Sequence, residues 1–347
     1  MRSDKISHIK PRRPNLSNQT SPIKLRRSSL SIGVFDSGVG GLTVLKELAR
    51  LVPHADYLYF GDTARLPYGS KSVETVAKYA ISSAHFLQQR GIDLLVVACN
   101  TATALAFEQI KAAVSVPVIG VIEPGANRAA SASRSQSVAV IATEATVASH
   151  AYQRALAQRG VRSREIACPL LVPLVEEGWL DHAVTEQVAR IYLAQVFDGV
   201  RAASVASASA EKSTGKQSQP ASATVAANPA DVLLLGCTHY PLLRPLLERI
   251  TPPGVTIVDS AESTAQAVAD HLRGPAARST PAAGSASAVA SAALANQHFQ
   301  SPDHPIAQSP KPAIHFFATD SVEKFRRSGE RFIGHAIQNV EHVDIEV

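Results

Sequence analysis

Apolar residues reach this chain in short blocks, and amphipathic stretches lie between the blocks. Residues 32–35, 56–60, 94–97 and 117–121 are apolar runs too short for buried helices, and Gly, Asp or Pro punctuates them. Each predicts a buried strand, the last of them closed by Glu123-Pro124-Gly125. Between them, 42–48, 73–89 and the stretch from Asn100 to Lys111 have helical spacing. The rhythm continues with strands at 137–142, 231–237, 255–258 and 313–318 and a short extended run at 168–172. Helices are expected at 149–159, 185–198, 240–250 and 261–273. Strand and helix in alternation predict an α/β fold with parallel strands and right-handed crossovers.

Three stretches break the rhythm. Residues 1–30 are polar and basic without periodicity, and 202–230 and 275–312 are rich in Ala, Ser and other small residues. They read as a disordered tail and two disordered insertions, with Ala-rich helix open as an alternative inside the second insertion.

Charge changes the picture only once it is located. The net charge is +5, but residues 1–30 alone carry eight Lys or Arg against one acid. The remaining body is close to neutral, so the basicity belongs to the tail. Its Arg/Ser-rich character also fits an organellar transit peptide, which ranks behind a plain cytoplasmic tail. With 45% hydrophobic and 18% charged residues over 347 positions, an ordinary globular chain of about two domains is expected. At 5% aromatic it is a poor candidate for a nucleic-acid stacking platform. No apolar run is long enough for a membrane span. Three cysteines without a CxxC pair predict neither a disulfide framework nor a zinc site, and fit a reducing compartment.

One stretch is written twice. Asp93 opens an apolar strand that ends on Cys99, Asn100 and Thr101; Asp231 opens another that ends on Cys237, Thr238 and His239. The Asp-to-Cys spacing is the same. Singly, each cysteine reads as core. As a pair at the carboxyl ends of strands, where open α/β sheets place ligands, they read as functional. A following helix start would lower a thiol's pKa. Two chemistries want facing thiols: a disulfide couple, or proton transfer on opposite faces of an amino acid's α-carbon. In the second, one thiolate removes the α-proton and the other thiol returns one, inverting the centre. Cys168, followed by Pro169, reads as structural. His239 reads as an acid/base helper, a hydrolytic base for Cys237, or a structural histidine.

The turn 37–41 follows the first strand. It fails as a dinucleotide fingerprint because Thr43 stands where the third glycine belongs, and it lacks the Gly-Lys-Ser/Thr of a P-loop. A small carboxylate suits it better; a tight packing turn is the alternative. Asp36 beside it is a candidate to hold an ammonium group.

The motifs around Asp36-Ser37-Gly38, Gly61-Asp62-Thr63, Pro67-Tyr68-Gly69, Cys99-Asn100-Thr101, Thr143-Glu144-Ala145-Thr146, Val172–Gly178 and Cys237-Thr238-His239 together resemble the glutamate racemase family, within the aspartate/glutamate racemases. The resemblance implies two pseudo-symmetric, doubly wound α/β domains with mainly parallel sheets and an active site in the cleft between them. Their expected bounds are 31–122 plus 259–347, and 123–258. It implies a cofactor-independent isomerase that makes D-glutamate for peptidoglycan, with Cys99 and Cys237 as proton donor and acceptor. Asp36, Ser37, Tyr68, Gly69, Asn100, Thr101, Thr143, Thr146, Thr238 and His239 would bind substrate. Asp36, Glu176 and His239 would tune the thiols. A cytoplasmic homodimer is implied, and a cell-wall precursor contact through the tail is a further expectation. Aspartate or hydantoin racemisation is the rival within this chemistry. A Cys-His amidohydrolase and a non-enzymatic binding module are rivals outside it.

Overall fold

The computed structural model describes residues 30–210, 229–274 and 312–346. Its first sheet contains β1 (Ser31–Asp36), β2 (Asp56–Gly61), β3 (Leu94–Val97), β4 (Val118–Gly120), β9 (Ile314–Ala318) and β10 (Val340–His342), in the order β10-β9-β2-β1-β3-β4. The second contains β5 (Ser137–Ala142), β6 (Arg162–Ala167), β7 (Val232–Gly236) and β8 (Thr256–Asp259), in the order β6-β5-β7-β8. Every pairing is parallel. The order 2-1-3-4 in the first sheet is repeated as 6-5-7-8 in the second. β3 and β7 therefore hold equivalent places, and Cys99 and Cys237 follow them.

The repeated aspartates have a structural explanation. Asp93 accepts the Ser31 N–H at 2.8 Å, tying the start of β3 to the start of β1. Asp231 accepts from Ser133, Ser135 and the Arg134 N–H at 2.7–2.8 Å, tying the start of β7 to the approach to β5. Each carboxylate satisfies backbone or hydroxyl donors at a strand mouth. They fix register and lie at the end of the strand opposite the thiols.

Both sheets are covered on both faces by helices, which is why β1, β2, β3 and β7 are buried at every position. Helix α10 (Ser260–Arg273) packs on both α1 (Leu42–Leu51) of the first half and α4 (Ile122–Ala132) of the second, and so joins them. Among the described residues no helix is long and apolar enough to cross a membrane.

Four expectations are corrected. The extended run placed at 168–172 is instead β6, Arg162–Ala167, followed by α7, Leu171–Glu176. β6 is a half-exposed edge strand whose charged residues hide its period. The helix expected at 149–159 is α6 (Ala151–Ala157); a further short helix, α5 (Glu144–Ala148), precedes it, and His150 with φ 55° separates the two. Glu123-Pro124-Gly125 does not close a strand but lies in the first turn or so of α4, where proline costs little. Helix α8, Ala183–Ala210, runs into the segment read as a disordered insertion; Ala is the best helix former. Residues 211–228 of that insertion, 275–311 of the other and 1–29 of the tail lie outside the described residues. Finally, α11 (Val322–Ile333) and β10 were not foreseen.

Glu165 on β6 gives a pH prediction. Both its carboxylate oxygens are buried and neither is in a well-formed hydrogen bond. Burial raises its pKa from 4.5 to about 7, opposed by the Gln153 amide and the Arg154 charge. The folded protein therefore binds this proton more tightly than the unfolded chain. Stability is full below about pH 4.5, declines towards pH 7 and is level above it. Because the residue is partly exposed, the loss is discounted to about 1–2 kcal/mol. Glu165→Gln should remove that slope in denaturant titrations at pH 5 and pH 8; an unchanged slope would refute the assignment.

Candidate active site

Cys99 caps α3 (Asn100–Ala113), its sulfur accepting the Ala102 N–H at 3.4 Å. The thiol in turn donates to Ser37 Oγ at 3.4 Å. Cys237 follows β7 and enters a 3-10 turn, Tyr240–Leu243. Both thiols are 5% exposed. Both line one cavity of about 320 Å³, enclosed by Ser37, Gly38, Leu66–Ser70 and Cys99–Thr101 from the first half. Thr143, Glu144, Pro169, Val172, Pro173, Glu176 and Cys237–His239 close it from the second.

Side chains cross the cleft in both directions. Thr101 Oγ1 lies 3.0 Å from Thr143 Oγ1, which is the N-cap of α5. Asn100 Nδ2 donates to Tyr152 Oη of α6 at 2.8 Å. In the other direction, Thr43 Oγ1 of α1 donates to the Thr238 carbonyl at 3.2 Å. The shoulder of each thiol is thus fixed by the opposite half. Asn100 Oδ1 is buried with no partner among the described residues.

Tyr68 is held from behind. Its hydroxyl donates to Asp62 Oδ2 at 2.5 Å, and Asp62 also takes hydrogen bonds from Thr319 and Arg65 at 2.9 Å. Gly69 is close to the opposite wall: a Cβ there would stand 3.0 Å from Thr143 Cβ.

The two thiols differ electrostatically. Burial pushes the Cys99 thiol up to about 12; the nearby Asp36 charge adds to this, and the Ser37 and Ala102 donors oppose it. The expected lowering by a helix start is therefore outweighed at Cys99. Beside Cys237, His239 Nδ1 lies 3.8 Å from the sulfur and Nε2 lies 3.1 Å from Glu176 Oε1. Burial pulls the imidazolium down, but Cys237 and Glu176 together hold its pKa up at about 10. The His239 hydrogen bond keeps Glu176 below the usual carboxylate range. His239 thus links Cys237 to Glu176 in one hydrogen-bonded line.

Two expected substrate contacts, Asp36 and Thr146, lie behind the cavity wall. Asp36 is wholly buried beneath the glycine turn, with Oδ2 accepting the Gly38 N–H at 2.9 Å. Burial raises its pKa, against the His239 charge and three turn amides. It faces Cys99 electrostatically and does not form the cavity wall. Thr146 also lies behind the wall, 2.9 Å from Thr143 Oγ1. All the other expected site residues reach the cavity, Glu176 among them. Leu66, Ser70 and Pro169 reach it without having been singled out; apolar or small loop residues carry no chemical signal of their own.

Residues 32–202 match the family model described as Asp/Glu/Hydantoin racemase. A glutamate racemase from Koribacter versatilis is 54% identical over 90% of this chain and 97% of its own length. The chain belongs to the glutamate racemase family. Members are amino-acid isomerases, and solved ones share this architecture. A glutamate racemase isoform from Bacillus anthracis superposes with a TM-score of 0.68 at 33% identity, covering 91% of this chain and 97% of that one. The glutamate racemase from Francisella tularensis, solved in complex with D-glutamate, gives a TM-score of 0.68 at 29% identity over 91% and 98%.

Proposed function

We propose that this protein interconverts L- and D-glutamate without a cofactor, using Cys99 and Cys237 on opposite faces of the α-carbon. The observation that carries the reading is the placement of both thiols, at equivalent strand ends, on the wall of one cavity. Neither the hydrolase nor the binding-module reading gives Cys99 a task.

His239, bonded to Glu176, stands 3.8 Å from Cys237 Sγ, placed to exchange a proton with it, while burial keeps Cys99 a protonated thiol. Cys237 as thiolate then takes the α-proton of one enantiomer, and the C–H electron pair becomes a carbanion conjugated with the carboxylate. Cys99 gives its proton to the other face. The roles reverse for the other enantiomer. The carbanion is the difficult species, and preorganised donors must stabilise it. The hydroxyls of Ser37, Thr101, Thr143 and Thr238 are the groups available for the substrate's carboxylates. The cleft excludes water from the thiolate, which raises its basicity. Supply of D-glutamate to peptidoglycan synthesis in the cytoplasm is the role this chemistry fits.

The test uses heavy water. Starting from either enantiomer, the circular dichroism of glutamate should decay to zero, and the product should carry one deuterium at the α-carbon. Aspartate, offered in the same way, should turn over far more slowly. A preference for aspartate would move the chain to another branch of the family. Decay without deuterium uptake would exclude α-proton transfer altogether.

A further inference from the structure

The Glu176–His239 pair behind Cys237 is built from the second half of the fold, yet its supports come from the first. Glu176 is the last residue of α7. That helix ends in a left-handed Gly178, φ 81°, with the Trp179 N–H bonded to the Leu174 carbonyl and the Gly178 N–H to the Val175 carbonyl. This Schellman ending leaves the Glu176 carbonyl for an outside donor. Arg331 Nη1 supplies it at 2.8 Å. The guanidinium lies so close over Gly178 that a Cβ there would stand 2.6 Å from Nη1. A cation at a helix C-terminus is also favoured by the helix dipole. Next along α11, Phe332 sets its ring edge-on to His239, with centroids 5.3 Å apart and planes at 83°. α11 itself is seated on the first half, where Gly329 lets it approach Leu42 of α1.

We propose that Arg331 and Phe332 are positioning residues for one thiol alone. They hold Glu176 and His239 in line with Cys237, whereas the direct neighbours of Cys99 are Ser37, the Ala102 amide and Asp36. Closure of the two halves is thereby read out at a single sulfur. The inference rests on the two-thiol reading and adds an asymmetry to it. Arg331 is exposed and makes its contact through a backbone carbonyl, so its side chain can be changed without emptying the core.

Racemisation cannot reveal the asymmetry, since the ratio of kcat/KM in the two directions is fixed by the equilibrium constant. Elimination can. From β-chloroglutamate a thiolate takes the α-proton and chloride leaves with the C–Cl electron pair, so each enantiomer reports one base. Cys99→Ala and Cys237→Ala assign the enantiomers to the thiols. Arg331→Ala should then lower Cys237-dependent elimination about tenfold and leave Cys99-dependent elimination within about twofold. Arg331→Lys should recover most of the loss, and Phe332→Leu should act in the same direction. Equal losses for both enantiomers, or no loss in Arg331→Ala, would overturn the proposal while wild-type racemisation stands. Absence of racemisation in the wild type would instead overturn the two-thiol reading beneath it.

Discussion

Cys99→Ala and Cys237→Ala are each expected to cut racemisation by about 10²–10⁴-fold, the range for loss of a positioned acid or base. Both thiols are needed in each direction, one to take the proton and one to give it. Neither variant should be unstable enough to confuse the result. A buried thiol packs as a small apolar group, and alanine removes one atom from a cavity wall already open on one side. The two variants should part company on a β-chloro substrate, where one base is enough. Each should keep elimination from the enantiomer served by its remaining cysteine and lose it from the other. Circular dichroism for racemisation and chloride release for elimination read the two reactions separately. Two-way racemisation in either variant would end the two-thiol scheme. Loss of both eliminations in one variant would mean that its sulfur holds the site together instead of moving a proton.

The duplicated Asp-to-Cys stretch was visible in the chain because buried parallel strands write continuous apolar runs, and both thiols end such runs. Its aspartates proved to be register ties at the other end of the strands. The cavity wall was legible where polar or glycine residues cluster after a strand, as at Ser37-Gly38, Tyr68-Gly69 and Asn100-Thr101. It was illegible at Leu66 and Pro169, which are placed by loop paths alone. The depth of Asp36 could not be read either: a carboxylate at a strand tip reads as exposed until the turn 37–41 is seen folded over it. β6 was missed because an edge strand needs only one apolar face. α11 was missed despite a strongly amphipathic pattern that buries Phe325, Phe332 and Ile333. Its importance, the reach from one half to the other at His239, depends on contacts between residues far apart in sequence.

Those long-range contacts also explain why the first half's glycine turn is shaped as it is. The turn does not cradle a nucleotide; it presses on the second thiol's shoulder. That makes Gly40 the position where backbone geometry and chemistry meet most directly.

Gly40→Ala should lower racemisation about 10²-fold, the scale set by a displacement of about 1 Å at a reacting group. A Cβ at this position would overlap Thr238 Oγ1 and stand 2.6 Å from His239 Nδ1. Neither neighbour can yield easily. Thr238 and His239 are 5% and 7% exposed, and the imidazole is held by Glu176 on one side and packed against Phe332 on another. The extra methyl group must therefore push His239 away from Cys237 or hold the two halves apart, and overpacking of this kind costs about 1–3 kcal/mol of stability. Gly91→Ala supplies the control. Gly91 has φ 78° and nothing within 4 Å of its would-be Cβ, so alanine there strains the backbone by about 1–2 kcal/mol but touches no part of the site. The two variants should lose similar stability in denaturant titrations, and only Gly40→Ala should lose kcat. If Gly40→Ala turned over glutamate like the wild type, the turn could not be in contact with the catalytic shoulder in the working enzyme.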